Sequence, residues 1–234
     1  MNTRRVLAVG RTESGKSYYL RNAICRRSPR VLHLDVMGEA HKEASPRAVQ
    51  VEGLRATLDA LVVAADYTRW DIWAFIREPD QLQALATRLV YKPTLAEPSL
   101  AELLGGLVLE CSEVSTLAPL RGTPPDVSGL WSWGRHRGLS IAAATQHPAL
   151  CDVRVRAMSE YVVLFTLTDA ASLRWVRENM GEELVPVVRR LPQGRGVRVE
   201  MGTGRAVEFG RDWQLLREWK LGGTPRLSGN LRDG

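Results

Sequence analysis

Cysteine is scarce: Cys25, Cys111 and Cys151 are an odd three, widely separated, with no C-x-x-C pair. That excludes a disulfide framework and a cysteine-built structural zinc site, and it fits a reducing, intracellular setting. His33, His41, His136 and His147 show no metal-ligand spacing. Long hydrophobic runs are missing too. Stretches such as residues 58–65 fall far short of the ~20 apolar residues that cross a bilayer. The first five residues lead straight into a short apolar segment, which leaves no signal peptide. A soluble protein with no transmembrane segment is expected. Lysine is rare beside arginine, yet Lys+Arg 32 against Asp+Glu 26 leaves a net charge of +6. A basic balance suits a polyanionic partner, although coding bias toward arginine yields the same number, so charge alone does not establish DNA binding.

What is present is enough for a core. With 234 residues, 44% of them hydrophobic, one large α/β domain with at most a small appendage can fold without staples. Apolar runs at 5–9, 31–35, 47–51, 71–76, 106–109, 139–144 and 161–165 read as strands. Segments of helical spacing lie at 15–27, 53–66, 79–90, 100–104, 126–137, 154–160 and 169–180, with Asp126 and Asp169 as N-caps. Residues 35–46 and 114–125 read as loops. The alternation predicts a mostly parallel sheet flanked by helices. After Pro192 the pattern changes. Residues 196–201 and 205–209 flank Gly202-Thr203-Gly204 as a β-hairpin, 213–220 reads as a short helix, and 222–234 as a disordered tail. The implied division is a core over 1–192, the hairpin and helix over 193–221 packed on it, and the tail over 222–234.

The strongest signal is Gly10-Arg-Thr-Glu-Ser-Gly15-Lys16-Ser17, which satisfies G-x-x-x-x-G-K-[ST]. By average residue usage about one chain of this length in a hundred carries that pattern by chance. Here a strand precedes it and helical spacing follows. The glycines let backbone N–H groups curl around phosphate oxygens, and the following helix adds its partly positive N-terminus. Lys16 reaches the β- and γ-phosphates, and the Ser17 hydroxyl ligates Mg²⁺. Gly10, Thr12, Glu13, Ser14, Gly15, Lys16, Ser17 and Tyr18 are thus the candidate residues for binding ATP with Mg²⁺.

Hydrolysis at such a loop needs an acid at a neighbouring strand end. Glu110 is the candidate for the metal, holding it through water, and either Glu113 from the following loop activates the attacking water or Glu110 serves both needs. Cys111 stands directly after Glu110, and a thiol is a poor general base. Thr145-Gln146 closes the strand at 139–144, where the Gln146 amide can sense the γ-phosphate or hold water. Arg135 and Arg137, near the end of the preceding helix, are candidates to stabilise phosphoryl charge, with complementation of the helix dipole as the plainer reading.

In combination, Gly10–Ser17, Leu107-Val-Leu-Glu110, Arg135-His136 followed by Gly138-Leu-Ser-Ile141, and Thr145-Gln146-His-Pro148 resemble the FtsK–HerA superfamily of P-loop ATPases. Within it they are most similar to the genome-packaging ATPases of tailless, membrane-containing double-stranded DNA viruses. The resemblance spans residues 3 to 180. It implies a RecA-like core and a homo-oligomeric ring, hexameric in such families, that moves double-stranded DNA through its centre. It further implies partners at the capsid vertex, and a place in the host cytoplasm or on the virion. By the same likeness Gln146 is the polar sensor, and Arg135, with Arg137 second, acts across the subunit interface. Cys111 departs from a frequent second acid of that family. Arg154 and Arg156, or Arg195, Arg198 and Arg205 of the hairpin, are candidates for DNA phosphate contacts. The rival readings are a small-molecule or nucleotide kinase with Asp35 near the acceptor, a phage assembly ATPase, and a nucleotide-dependent binding module without hydrolysis.

Overall fold

Aliphatic runs without polar interruption give strands buried on both faces, and these carry the centre of the sheet. The computed structural model describes residues 4–38, 44, 48–94 and 96–222. The parallel strands are β1 (Arg5–Val9), β2 (Arg30–Asp35), β3 (Val49–Glu52), β4 (Trp70–Phe75), β5 (Leu107–Cys111), β6 (Leu139–Thr145) and β7 (Tyr161–Leu164). Three antiparallel strands follow: β8 (Gly196–Glu200), β9 (Arg205–Phe209) and β10 (Leu215–Lys220). All ten form one sheet in the order β10-β9-β8-β7-β1-β6-β5-β2-β4-β3. Strand β1, which leads into the phosphate loop, is central and parallel to β6 and β7 on its two sides.

The helices are α1 (Lys16–Tyr19), α2 (Gly53–Ala64), α3 (Pro79–Val90), α4 (Leu100–Leu103), α5 (Val114–Leu117), α6 (Pro125–Trp133), α7 (Val153–Ala157), α8 (Ala170–Met180) and α9 (Leu184–Arg189). Side chains alternate across each strand, so the sheet serves two cores. One holds Leu7, Val9, Leu32, Leu109, Cys111 and Ile141 against α2, α3, α6 and α8. The other holds Val6, Ala8, Val108, Ala142 and Val163 against Tyr19 and Leu20.

Several expectations are corrected. The helix after the phosphate loop is not uniform: α1 widens into a π segment over Leu20–Ile24 and tightens to 3-10 over Cys25–Arg27. The Asn22 amide donates to the Tyr18 carbonyl at 3.0 Å, a side-chain competitor for the helix ladder at that point. Residues 114–125 are not a continuous loop, since α5 forms there. Asp126 is not the cap of α6; Pro124 occupies that position. The Asp126 carboxylate instead accepts from Gln83 and Thr87 and ties α6 to α3. Asp169 does cap α8, accepting from Ser172 N at 2.8 Å. Residues 213–220, read as a helix, instead hold edge strand β10 over 215–220. Its pairing with β9 supplies cross-strand charge pairs, Arg205 with Glu218 at 2.7 Å and Arg217 with Glu208 at 3.7 Å, which a helix cannot make. Helix α9 had no reading in the sequence, because Pro186 sits inside its six residues. Strand β3 begins at Val49, and the expected start at residue 47 lies outside the described residues, as do most of the 35–46 loop and the tail beyond Gly222. Among the described residues no helix is long and apolar enough to cross a membrane.

Candidate nucleotide site

The loop from Gly10 to Gly15 leaves the C-terminal end of β1 held from both sides. Gly10 N donates to Thr145 O at 3.3 Å, and Arg11 N donates to Thr166 O at 3.0 Å. A Cβ on Gly10 would come within 2.7 Å of Phe165 Cβ and 2.6 Å of Ser14 Oγ, so the buried Phe165 beneath the loop requires glycine there. Gly15 has φ 111, and a Cβ on it would lie 3.3 Å from Gly194 Cα. Glu13 has φ 58, a left-handed turn in a residue with a side chain.

The cradle fits a triphosphate. Among the described residues no carbonyl takes the N–H groups of Thr12, Glu13 or Gly15. Ser14 Oγ is buried and makes no hydrogen bond among the described residues. Lys16 is buried, and its Nζ donates to Arg11 O at 2.8 Å across the loop. Burial lowers its pKa to about 8, and the Glu113 carboxylate pulls the other way. Ser17 and Tyr18 continue α1, Ser17 half-buried and Tyr18 exposed against Trp213, with ring centroids 5.7 Å apart. Among the described residues no group of three or more His, Cys, Asp or Glu is placed to hold a metal ion. Magnesium here would rest on phosphate oxygens, Ser17 and a single acid, as hard, water-rich Mg²⁺ sites do.

The neighbouring strand end brings Gln146 to the loop. Thr12 Oγ1 donates to Gln146 Oε1 at 2.8 Å. Arg11, Thr12, Glu13, Gln146 and Gln193 line an open polar cavity of about 380 Å³ above the loop. Glu110 is less available than its sequence position implies. It pairs in register with Ala142, three residues short of Thr145. Its carboxylate is buried, bound to His33 Nδ1 at 3.1 Å and to Ser112 Oγ at 2.9 Å. His33 also reaches Asp71 through Nε2 at 3.0 Å and stacks on Trp73 at 4.1 Å. Burial works against protonating His33, but the hydrogen bonds to Asp71 and Glu110 outweigh it and hold its pKa above the ordinary value. Glu113 lies past the strand end, half-buried, accepting from Ser115 Oγ at 2.5 Å, and it is the acid whose charge Lys16 senses. Cys111 faces the opposite core, where burial and then the Glu110 charge push its thiol far above the usual range.

The arginines lie elsewhere. Arg135 and Arg137 sit in a 3-10 turn, Gly134–Arg137, that feeds the N-terminal end of β6. That is the end of the sheet opposite the phosphate loop. Arg137 donates to Glu102 at 3.1 Å, and Arg135, half-exposed, lies 3.7 Å from Glu160. Neither reaches its own chain's loop.

The strand order, with the polar end of β6 between β1 and the acidic β5, decides the fold. It is a RecA-like P-loop ATPase fold. The structure is similar to the genome packaging NTPase B204 from Sulfolobus turreted icosahedral virus 2 in complex with ATP-gammaS, with a TM-score of 0.65 at 16% identity over 94% of this chain and 100% of that one. The AMPPCP complex of that protein gives 0.66 at 17% identity over 94% and 98%. B204 from Sulfolobus turreted icosahedral virus, described as a DNA-packaging ATPase, gives 0.63 at 16% over 94% and 99%. No protein-family model and no curated protein sequence matches the chain. The RecA-like sheet therefore carries the likeness, and at these identities it is a likeness of fold.

Two contacts around the P-loop had no reading in the sequence. Gln193 Nε2 donates to Glu13 O at 3.0 Å, and Gly194 N donates to Ser14 O at 3.2 Å. The turn before β8 thus buttresses the phosphate loop from the antiparallel wing. The only sequence signal was a Pro-Gln-Gly turn, which names no partner.

Proposed function

We propose that the chain is an ATP-hydrolysing motor that moves double-stranded DNA, working as a homo-oligomeric ring to package a viral genome. The observation that carries this is the hydrogen bond from Thr12 to Gln146, which puts the polar end of β6 on the phosphate loop. A bare phosphate cradle binds; a cradle with a polar amide and an acid beside it can also position water.

In this reading the backbone N–H groups of the loop and Lys16 hold the triphosphate, and Ser17 holds Mg²⁺, which supplies charge neutralisation on the phosphates when bound. Glu113 takes the role of the acid near the metal and the attacking water, because Glu110 is engaged by His33 and Ser112. Gln146 orients water or reports the γ-phosphate to β6. Arg135 lies at the opposite end of the sheet, away from its own loop, and in this reading serves a neighbouring subunit's site, which makes the ring part of the catalytic unit. The hairpin arginines, and Arg154 with Arg156, are the candidates for DNA phosphates, although Arg205 is already paired with Glu218. Capsid-vertex proteins are the further partners of a packaging motor.

The test is ATP turnover with and without linear duplex DNA at low salt. The motor predicts turnover that rises with DNA and loses that rise as salt is increased. Phosphate transfer to a nucleoside acceptor, with no response to DNA, would establish the kinase reading instead.

A further inference from the structure

A second cavity, of about 450 Å³, lies on the α1 face of the sheet but at the far end from the phosphate loop. It is bounded by the C-terminal part of the helical segment, with Ala23, Ile24 and Arg27, and by the N-terminal ends of β1, β6 and β7, with Arg4, Ser140 and Tyr161. Arg198 of β8 closes one side, and Tyr19 and Trp213 contribute aromatic walls. No acidic residue lines it.

The arginines are what set this cavity apart. Several arginines elsewhere pair with carboxylate, among them Arg5 with Glu160 at 3.0 Å, Arg137 with Glu102 at 3.1 Å and Arg205 with Glu218 at 2.7 Å. Among the described residues Arg4, Arg27 and Arg198 have no ion pair. Arg4 and Arg198 instead lie 5.6 and 5.7 Å from the centroid of the Tyr161 ring. Burial raises the Tyr19 pKa, and the charges of Arg198, Arg27 and Arg4 act on that phenol in the opposite direction. Three cations thus line one cleft with no carboxylate among its lining residues; Glu200 lies with Arg4 and Arg198 on an adjoining surface, and the Glu218 charge feels Arg198 from outside the cleft. Convergence of like charge is unfavourable unless an anion completes it.

The walls indicate which anion. A cavity of this size is in the range that takes a small ligand, about 300–1,000 Å³, and it is too small for a duplex. An inorganic anion would leave the aromatic and valine surfaces uncovered. A base beside tyrosine, tryptophan and guanidinium planes, with its phosphate at the arginines, uses both parts of the lining. We propose that this cleft binds a nucleoside monophosphate unit, as a second site separate from the phosphate loop. The unit is either a free nucleotide or the terminal nucleotide of a DNA strand.

The test uses the full chain carrying Lys16→Ala, so that the phosphate loop does not contribute, and follows fluorescence anisotropy with two probes. One is mant-AMP, and the other is a 5′-phosphorylated octathymidylate labelled at its 3′ end. The expected result is saturable binding of at least one probe at one equivalent per chain. Arg4→Glu or Arg27→Glu, both exposed and distant from the phosphate loop, should weaken it by about tenfold or more with the melting temperature unchanged. Binding of mant-AMP assigns the free nucleotide as the source, and binding of the oligonucleotide alone assigns a strand end. No binding of either probe, or binding indifferent to both charge reversals, overturns the proposal. Wild-type ATP turnover is not involved, so this result is independent of the proposed motor activity.

Discussion

Glu13 is the residue whose replacement tests the loop geometry most simply. It holds φ 58, where a residue with a Cβ pays roughly 1–2 kcal/mol relative to right-handed backbone. Glycine removes that strain but gives back about 0.5–1 kcal/mol through the greater freedom of the unfolded chain. Among the described residues, Glu13 enters the hydrogen-bond network only through its carbonyl, which accepts from Gln193 Nε2 at 3.0 Å, and glycine retains that group. Glu13→Gly should therefore stabilise the protein by about 0.5–1 kcal/mol. For a chain of this size that is a rise of about 1–4 °C in melting temperature. It also removes a negative charge beside the phosphates, so triphosphate affinity should rise by about two- to fivefold at low salt, and less at high salt. The assay is calorimetric melting without nucleotide, followed by ATP titration at two salt concentrations. A melting temperature that falls, with affinity unchanged, would refute the strained left-handed turn.

The other predictions concern the groups around the loop. Lys16, lowered to about 8, is charged in the nucleotide-free protein below that pH and loses its proton above it; a bound triphosphate favours the charged form. ATP binding should then take up about half a proton at pH 8 and almost none at pH 6.5, with affinity falling as pH rises past 8, measured by calorimetry in buffers of different ionisation heat. For stability the sign follows from a folded pKa below the unfolded one: the cost of burying the ammonium is fully present below about 8 and is relieved as pH climbs toward 10.5. Glu110→Gln leaves His33 short of a charged partner and should lower stability by about 1–3 kcal/mol in a denaturant melt. Glu113→Gln should leave the melt unchanged and cut single-turnover hydrolysis by about a hundredfold. Arg135→Ala and Lys16→Ala chains, each inactive alone, should regain about a quarter of wild-type turnover when mixed equally, since one interface in four then has both groups; no recovery would refute a site shared between subunits.

Much of this was legible in the sequence, for specific reasons. The phosphate loop is local: its strand, turn and helix onset are contiguous, and Gly10, Gly15, Lys16 and Ser17 occupy positions set by backbone geometry. The order of strand ends was legible because apolar runs in a parallel sheet are hard to mistake. The register was not. That Glu110 stops three residues short of Thr145 and faces His33 depends on how β2, β5 and β6 slide against each other, which no local pattern encodes. Residues 213–220 misled because Leu215, Leu216 and Trp219 fit a helical face about as well as a pleat, and only the free edge of β9 decides between them. The buttress from Gln193 and Gly194 and the arginine cleft were invisible because each joins segments nearly the length of the chain apart.

The central claim is that Gly10–Ser17, with Gln146 and Glu113, hydrolyses a nucleoside triphosphate. Its most direct test is a single-turnover phosphate-release measurement with excess protein and ATP–Mg²⁺, comparing the wild type with Gln146→Ala at saturating protein. The account predicts a measurable burst in the wild type, a rate lower by about a hundredfold in Gln146→Ala with ATP affinity nearly intact, and no release from Lys16→Ala. Tight binding of ATP by the wild type with no phosphate released above the buffer rate would contradict it.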